Sequence, residues 1–155
     1  MLKVVSTEKA LEIIRDEFSH LKSEGEKVLL HDALGRTVYE NILSDEFIPS
    51  FNRSTVDGYA VIASDTYGSS ESIPSQLEII GEIPMGEAAD IAIHNGECVK
   101  ISTGGMVPEG ADSVVMVEHT DTSFHPLCLI QNSVSPFQNV IRKGDDIKQK
   151  DIILQ

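Results

Sequence analysis

The chain has 155 residues, 41% of them hydrophobic, no tryptophan, and a formal net charge of −13. That length suits one domain with a real core, or a compact domain plus an appendage, and excludes three large domains. The acidic balance argues against a nucleic-acid partner, which needs a positive field, and no apolar run approaches the roughly 20 residues that span a bilayer.

Met1-Leu2-Lys3-Val4-Val5 runs directly into an amphipathic, acid-containing segment. It lacks the apolar core and small-residue cleavage site of a secretory signal, so the expected location is the cytoplasm. Ser6 or Thr7 can cap a helix here, with Glu8 in its first turn. Leu11, Ile14, Phe18 and Leu21 follow at spacings of three, four and three. This predicts a helix from about Thr7 to Ser23, ended by Gly25, whose apolar stripe must dock on the rest of the chain or on a second copy.

Beyond the helix the pattern changes to short apolar runs bounded by Gly, Pro, Asp or Asn. Val28–Leu30, Leu77–Ile80, Cys98–Ile101, Ser113–Val117, Leu127–Gln131, Val140–Ile141 and Ile152–Leu154 read as strands. Helical turns are expected at Asp32–Leu34 and Ala63–Asp65, and Tyr67–Ser75 reads as an exposed loop. Strands so spaced, without alternating long helices, favour a mixed or antiparallel barrel-like sheet over a doubly wound parallel one. The fold class is therefore mainly β with one N-terminal α-helix. Cys98 and Cys128 have no CxxC or His-rich spacing, so they read as small strand residues and not as zinc ligands or a disulfide framework.

Three polar clusters could carry chemistry. In Ile101-Ser102-Thr103-Gly104-Gly105-Met106-Val107-Pro108-Glu109-Gly110-Ala111-Asp112, two glycines and two hydroxyls follow an apolar segment. Successive backbone N–H groups and the Ser102 and Thr103 hydroxyls could converge on phosphate-type oxygens, or the stretch could simply be a tight connection between strands. It is neither a Walker A loop nor a dinucleotide fingerprint. In Pro49-Ser50-Phe51-Asn52-Arg53-Ser54-Thr55-Val56-Asp57-Gly58-Tyr59-Ala60-Val61, Asp57-Gly58 could be a hairpin turn, yet Asn52, Arg53, Ser54, Thr55 and Asp57 put five polar groups into six positions leading into a strand. A carboxylate there could hold Mg²⁺ while Arg53 pairs with phosphate. In Ile141-Arg142-Lys143-Gly144-Asp145-Asp146-Ile147, two cations and two carboxylates either satisfy one another or bind a hard cation that bridges to a phosphorylated ligand. His20, His31, His94, His119 and His125 assemble no nucleophilic triad, which disfavours acyl transfer.

Taken in order, these clusters resemble the N-terminal half of the molybdopterin molybdenumtransferase family, the MoeA and gephyrin E-domain group. Phe51 to Val61 looks like that family's aromatic-Asp/Asn-x-Ser-x-x-Asp-Gly-Tyr-Ala signature. Gly81-Glu82-Ile83-Pro84-Met85-Gly86, Ser102 to Asp112 and Arg142 to Ile147 follow at family-like separations. The resemblance implies bifurcated, coiled sheets. It also implies an elongated dimerisation domain, with residues 1–27 as its N-terminal helix and linker and residues 147–155 rejoining it, and an inserted β-rich domain over 28–146. It further implies an enzyme that inserts molybdenum from molybdate into adenylylated molybdopterin, releasing AMP with Mg²⁺ assisting. Such an enzyme works as a homodimer whose cleft pairs this region with the other subunit's pterin-binding α/β domain.

Carried over by position, Asp57, Thr103 and Asp146 match residues implicated in activity, with Asp57 and Asp146 as the metal-binding pair. Arg53, Ser54, Ser102, Gly104, Gly105 and Arg142 fall to substrate binding and to shaping the loop. Asn52 and Gly105 stand where the family frequently has Asp and Ala. Family members continue into a pterin-binding domain and a C-terminal β-domain that nothing in this chain supplies. The expectation is an N-terminal part that is inactive alone. The alternatives are a non-catalytic dimerisation or scaffold module of the same fold, and a small β-barrel that binds an unrelated phosphorylated metabolite.

Overall fold

The computed structural model describes residues 4–21 and 24–155. Among them lie one α-helix, α1 (Thr7–Phe18), and ten strands: β1 (Ile42–Leu43), β2 (Arg53–Ser54), β3 (Gly58–Val61), β4 (Ser75–Ile83), β5 (Glu97–Ile101), β6 (Ser113–Met116), β7 (Thr120–Asp121), β8 (Leu127–Ile130), β9 (Val140–Ile141) and β10 (Ile152–Leu154). The chain is mostly β, as its patterning implies, and no helix among the described residues is long and apolar enough to cross a membrane.

The chain divides into two compact units, one running up to Leu43 with Ile152–Gln155, the other Ser44–Asp151. The family resemblance implies divisions after residue 27 and before residue 147.

In the first unit Ser6 caps α1, its hydroxyl accepting from the Lys9 amide at 3.3 Å. The helix stops earlier than its apolar spacing suggests. Ser19 forms the C-cap, and its hydroxyl donates to the Asp16 carbonyl at 2.8 Å, so Gly25 is not the terminator. A serine hydroxyl that bonds a carbonyl of the last turn competes with further helix. The expected end at Ser23 lies outside the described residues. None of α1 is buried, and Leu11, Ile14 and Phe18 are exposed. The strand expected at Val28–Leu30 does not form. Leu30–Asp32 makes a 3-10 turn instead, because three apolar residues in a row carry no period that separates strand from turn. β1 and β10 pair antiparallel, which gives the final apolar run its partner.

The second unit holds a barrel-like six-stranded sheet in the order β6-β3-β5-β4-β8-β7. β4 and β5 are parallel and the other pairs antiparallel. Val61, Val99, Ile101, Val114, Val115 and Ile130 are fully buried and form its core. Cys98 and Cys128 are free and buried in the same core, so both are small strand residues as expected. Contact with Cys128, and then burial, push the Cys98 thiol above its usual range. β3 is buried along its whole length between β5 and β6. Asp112 organises the sheet's edge, its Oδ1 accepting from the Ala63 amide at 2.7 Å and the Ser113 hydroxyl at 3.0 Å. A separate two-stranded sheet joins β2 to β9.

Candidate functional site

β2 is two residues long, yet all three polar clusters meet on it. On one side it pairs with β9, with Arg53 opposite Ile141 and Ser54 opposite Val140. On the other it meets the glycine loop, where Ser54 N–H donates to the Gly105 carbonyl at 3.0 Å and Gly104 N–H to the Ser54 carbonyl at 2.8 Å. Segments almost ninety residues apart in sequence are thereby fixed as neighbours by backbone bonds.

The closest functional contact joins Asp57, just before β3, to Thr103, just after β5. Asp57 Oδ1 accepts from the Thr103 amide at 2.6 Å and from the Thr103 hydroxyl at 3.0 Å. Those donors, the amide first, hold the Asp57 carboxyl below its ordinary range, so it stays ionised. Its backbone is fixed as well, since Val117 N–H donates to the Asp57 carbonyl at 3.0 Å. Oδ2 has no hydrogen-bond partner among the described residues.

The glycine loop differs from a phosphate cradle. Thr103 N–H is turned to Asp57, Gly104 N–H to Ser54, and Gly105 N–H to the Ser102 carbonyl at 2.8 Å. Three successive amides are thus engaged within the chain, and the loop offers an anion its side chains instead. Gly105 is buried, and a Cβ there would stand 2.8 Å from the Ser102 carbonyl oxygen and from Ile101 Cγ1.

Ser54 is 2% exposed, and its hydroxyl donates to the Val56 carbonyl at 2.6 Å while accepting from the Val56 amide, so in this structure it shapes the turn. Ser102 is half-buried and its hydroxyl has no partner among the described residues. Arg53 is half-buried, and its Nε is buried without an acceptor among the described residues, a state that favours an incoming anion. Arg142 is exposed, its guanidinium 5.1 Å from the centre of the Phe137 ring and its Nε 3.5 Å from Asp145 Oδ1. Asp146 is exposed and tied by its backbone alone, its amide donating to the Ile48 carbonyl at 3.0 Å.

Asp57 and Asp146 can serve a cation only as open ligands. No cluster of three or more His, Cys, Asp or Glu forms a metal cage among the described residues. Mg²⁺ commonly uses one or two carboxylates and completes its shell with water and substrate phosphate, and the unpartnered Asp57 Oδ2 fits that donor set.

Sequence reasoning overlooked the residues that hold these groups in place. Phe137 lies under Arg142, Phe47 lies 4.9 Å from Lys143 Nζ, and the Asn52 side chain bonds the Lys143 amide. The usable signal was aromatic and amide residues flanking the cationic turn, which sequence separation hides.

Fold and site define a β-rich domain that displays carboxylate, hydroxyl and guanidinium groups on adjoining loops. The chain belongs to the family described as MoeA N-terminal region (domain I and II), which matches residues 5–155. It is 33% identical over 140 residues to the molybdopterin molybdenumtransferase of Bacillus subtilis, covering 87% of this chain and 33% of that protein. It is 32% identical over 155 residues to gephyrin of Dictyostelium discoideum, covering 95% of this chain and 22% of that protein. The crystal structure of a molybdopterin biosynthesis moeA protein from Pyrococcus horikoshii OT3 superposes with a TM-score of 0.82 at 34% identity, over 99% of this chain and 40% of that one. The chain therefore spans about a third of the length of the transferases it matches.

Proposed function

We propose that this chain is the N-terminal part of a cytoplasmic enzyme of molybdenum cofactor biosynthesis, which inserts molybdenum from molybdate into adenylylated molybdopterin and releases AMP. The observation that carries the reading is the Asp57–Thr103 contact, which joins two of the family-like motifs into one ionised, exposed group. Asp57 and Asp146 would hold Mg²⁺, which supplies positive charge against the substrate's phosphates. Arg53 and Arg142 would bind the anionic substrate, and the Ser102 hydroxyl is free to donate to it. The family resemblance implies a pterin-binding domain beyond this region, and the chain spans about a third of the transferases it matches, so the chain alone is expected to be inactive.

The test is molybdenum insertion assayed with the chain alone and within a full-length transferase carrying it. Product is expected only from the second. Turnover by the isolated chain overturns the claim of incompetence, and no turnover by the full-length protein overturns the proposed reaction.

A second reading, a dimerisation module of the same fold, is favoured by one observation: α1 carries an apolar stripe, and none of its residues is buried. Burying such stripes against a second copy removes apolar area from water at about 25 cal/mol per Å². Sedimentation velocity at micromolar concentration is expected to show a dimer, and the Ile14→Asp, Phe18→Asp double variant a monomer. A wild-type chain that stays monomeric throughout that range removes this reading.

A further inference from the structure

Asn52 touches both loops that flank β2. Its backbone carbonyl accepts from the Val107 amide at 2.9 Å, at the far end of the glycine loop. Its side-chain Oδ1 accepts from the Lys143 amide, also at 2.9 Å, across 91 residues of sequence. The remaining bonds that tie residues 48–49 to the cationic turn run between backbones. Gly144 N–H donates to the Pro49 carbonyl, and Asp146 and Ile147 N–H both donate to the Ile48 carbonyl, each at 3.0 Å. Those bonds fix the second half of the turn. The first half carries Arg142, and three bonds hold it: Lys143 N–H to Asn52 Oδ1, the Arg142 amide to Asp145 Oδ2 at 2.8 Å, and Asp145 N–H to the Arg142 carbonyl at 3.0 Å; of these three, only the first comes from outside the turn.

A peptide unit is planar, so holding the Lys143 N–H also holds the Arg142 carbonyl and Cα, and with the Arg142 N–H tied to Asp145 the backbone on both sides of Cα is fixed, and so the direction in which the Arg142 side chain leaves the chain. The guanidinium then rests over Phe137 and beside Asp145. An arginine with its rotamer freedom already reduced loses less entropy when it meets an anion.

We infer that Asn52 is a positioning residue: its side-chain oxygen sets the Arg142–Lys143 peptide, and so presents Arg142 to the anionic substrate in one pose. This rests on the reading of Arg142 as a substrate-facing cation. The role needs an oxygen acceptor and no amide nitrogen, for the Asn52 NH₂ has no partner among the described residues. Asn52→Asp supplies the same acceptor, whereas Asn52→Ala removes it.

In a full-length transferase carrying this chain, Asn52→Ala is expected to raise KM for adenylylated molybdopterin roughly fivefold, the factor that loss of one ordinary hydrogen bond sets, with kcat little changed. Asn52→Asp is expected to keep the wild-type KM. In the chain itself, Lys143 amide hydrogen exchange, followed by NMR, should quicken in Asn52→Ala and stay slow in Asn52→Asp. An unchanged KM in Asn52→Ala, alongside a raised KM in Arg142→Ala, overturns the inference while the reading of Arg142 stands. Equal losses in Asn52→Ala and Asn52→Asp overturn it too, because the acceptor is then not what matters. If Arg142→Ala leaves KM unchanged, the underlying reading fails and the inference with it.

Discussion

Asp57→Ala is expected to lower molybdenum insertion by a full-length transferase carrying this chain roughly a hundredfold or more, the scale on which losing a positioned ionised group affects a chemical step. Two effects combine. The variant removes an ionised carboxylate from the surface, and it strips the Thr103 amide and hydroxyl of their common acceptor, which frees the start of the glycine loop. Asp57→Asn separates these contributions, since an amide oxygen can still accept from Thr103 while the charge is gone. If charge carries the effect, Asp57→Asn is as damaging as Asp57→Ala. If loop geometry carries it, Asp57→Asn recovers most of the activity. Activity unchanged in both variants removes Asp57 from the site.

The pH behaviour follows from the same contact. The folded-state carboxyl is held below its ordinary value of 3.8, so the tie between Asp57 and Thr103 is present above that value and is lost as pH falls through the lower folded value. Across the neutral range Asp57 therefore contributes no ionisation step to the rate profile. Thr103→Val deletes the hydroxyl and keeps the amide, the larger of the two causes, so the carboxyl should move only part of the way back towards 3.8. A ¹³C NMR titration of the Asp57 carboxyl reads this directly.

Much of this architecture was legible because the local signals were strong. β5, β6, β8 and β9 each show a short apolar run closed by turn residues, and the structure places them within a residue or so of expectation. Ser6 announced the start of α1, but the expected terminator, Gly25, is not the one used, because the helix ends where Ser19 bonds back to Asp16. β1 and β2 are two residues each, too short to carry a period, and exist because a distant partner supplies their bonds, while the equally short β7 depends on the neighbouring β8. β3 was visible only as the apolar tail of a polar motif, and its burial on both sides is a property of the sheet.

The site shows the same division. Residue types and the family resemblance pointed to Asp57, Thr103 and Arg142, and the structure bonds Asp57 to Thr103 and rests Arg142 over Phe137. The loop glycines suggested amides aimed at phosphate, whereas the folded loop directs three of those amides inward. The placement of β2 beside the loop explains one of the three, because the Ser54 carbonyl captures the Gly104 amide, while Asp57 and the Ser102 carbonyl take the other two. Ser54 looked like a substrate ligand by position, yet a hydroxyl so buried bonds its own turn.

Gly58→Ala is expected to be the most destabilising small substitution in the sheet, costing about 3 kcal/mol or more, at or beyond the upper end for overpacking a core. Gly58 sits in β3 opposite Ile101 of β5 and Met116 of β6, so its backbone is bracketed on both sides. A Cβ there would fall on the Val115 carbonyl oxygen, with the Val115 carbonyl carbon at 2.9 Å and Met116 Cα at 3.1 Å. These are backbone atoms of a paired strand and cannot swing aside as the tip of a side chain can. Relief requires β3 and β6 to part, which breaks the ladder that buries Ala60, Val61, Val114 and Val115.

For a domain whose whole stability is on the order of 5–15 kcal/mol, that is a large fraction. Gly104→Ala provides the contrast. Gly104 has a φ of 81° but no atom within 4 Å of a modest side chain, so only the left-handed backbone resists, at about 1–2 kcal/mol. Urea denaturation of both variants beside the wild type should rank Gly58→Ala well below Gly104→Ala. The consequence extends to the site, because Asp57 adjoins Gly58 and its carbonyl is bonded to Val117, directly after β6. Parting β3 from β6 moves the carboxylate off Thr103, so any Gly58→Ala protein that still folds should also lose the depressed Asp57 pKa. Wild-type stability in Gly58→Ala would mean that β3 and β6 do not pack at this separation, and that Asp57 is not held where the site requires it.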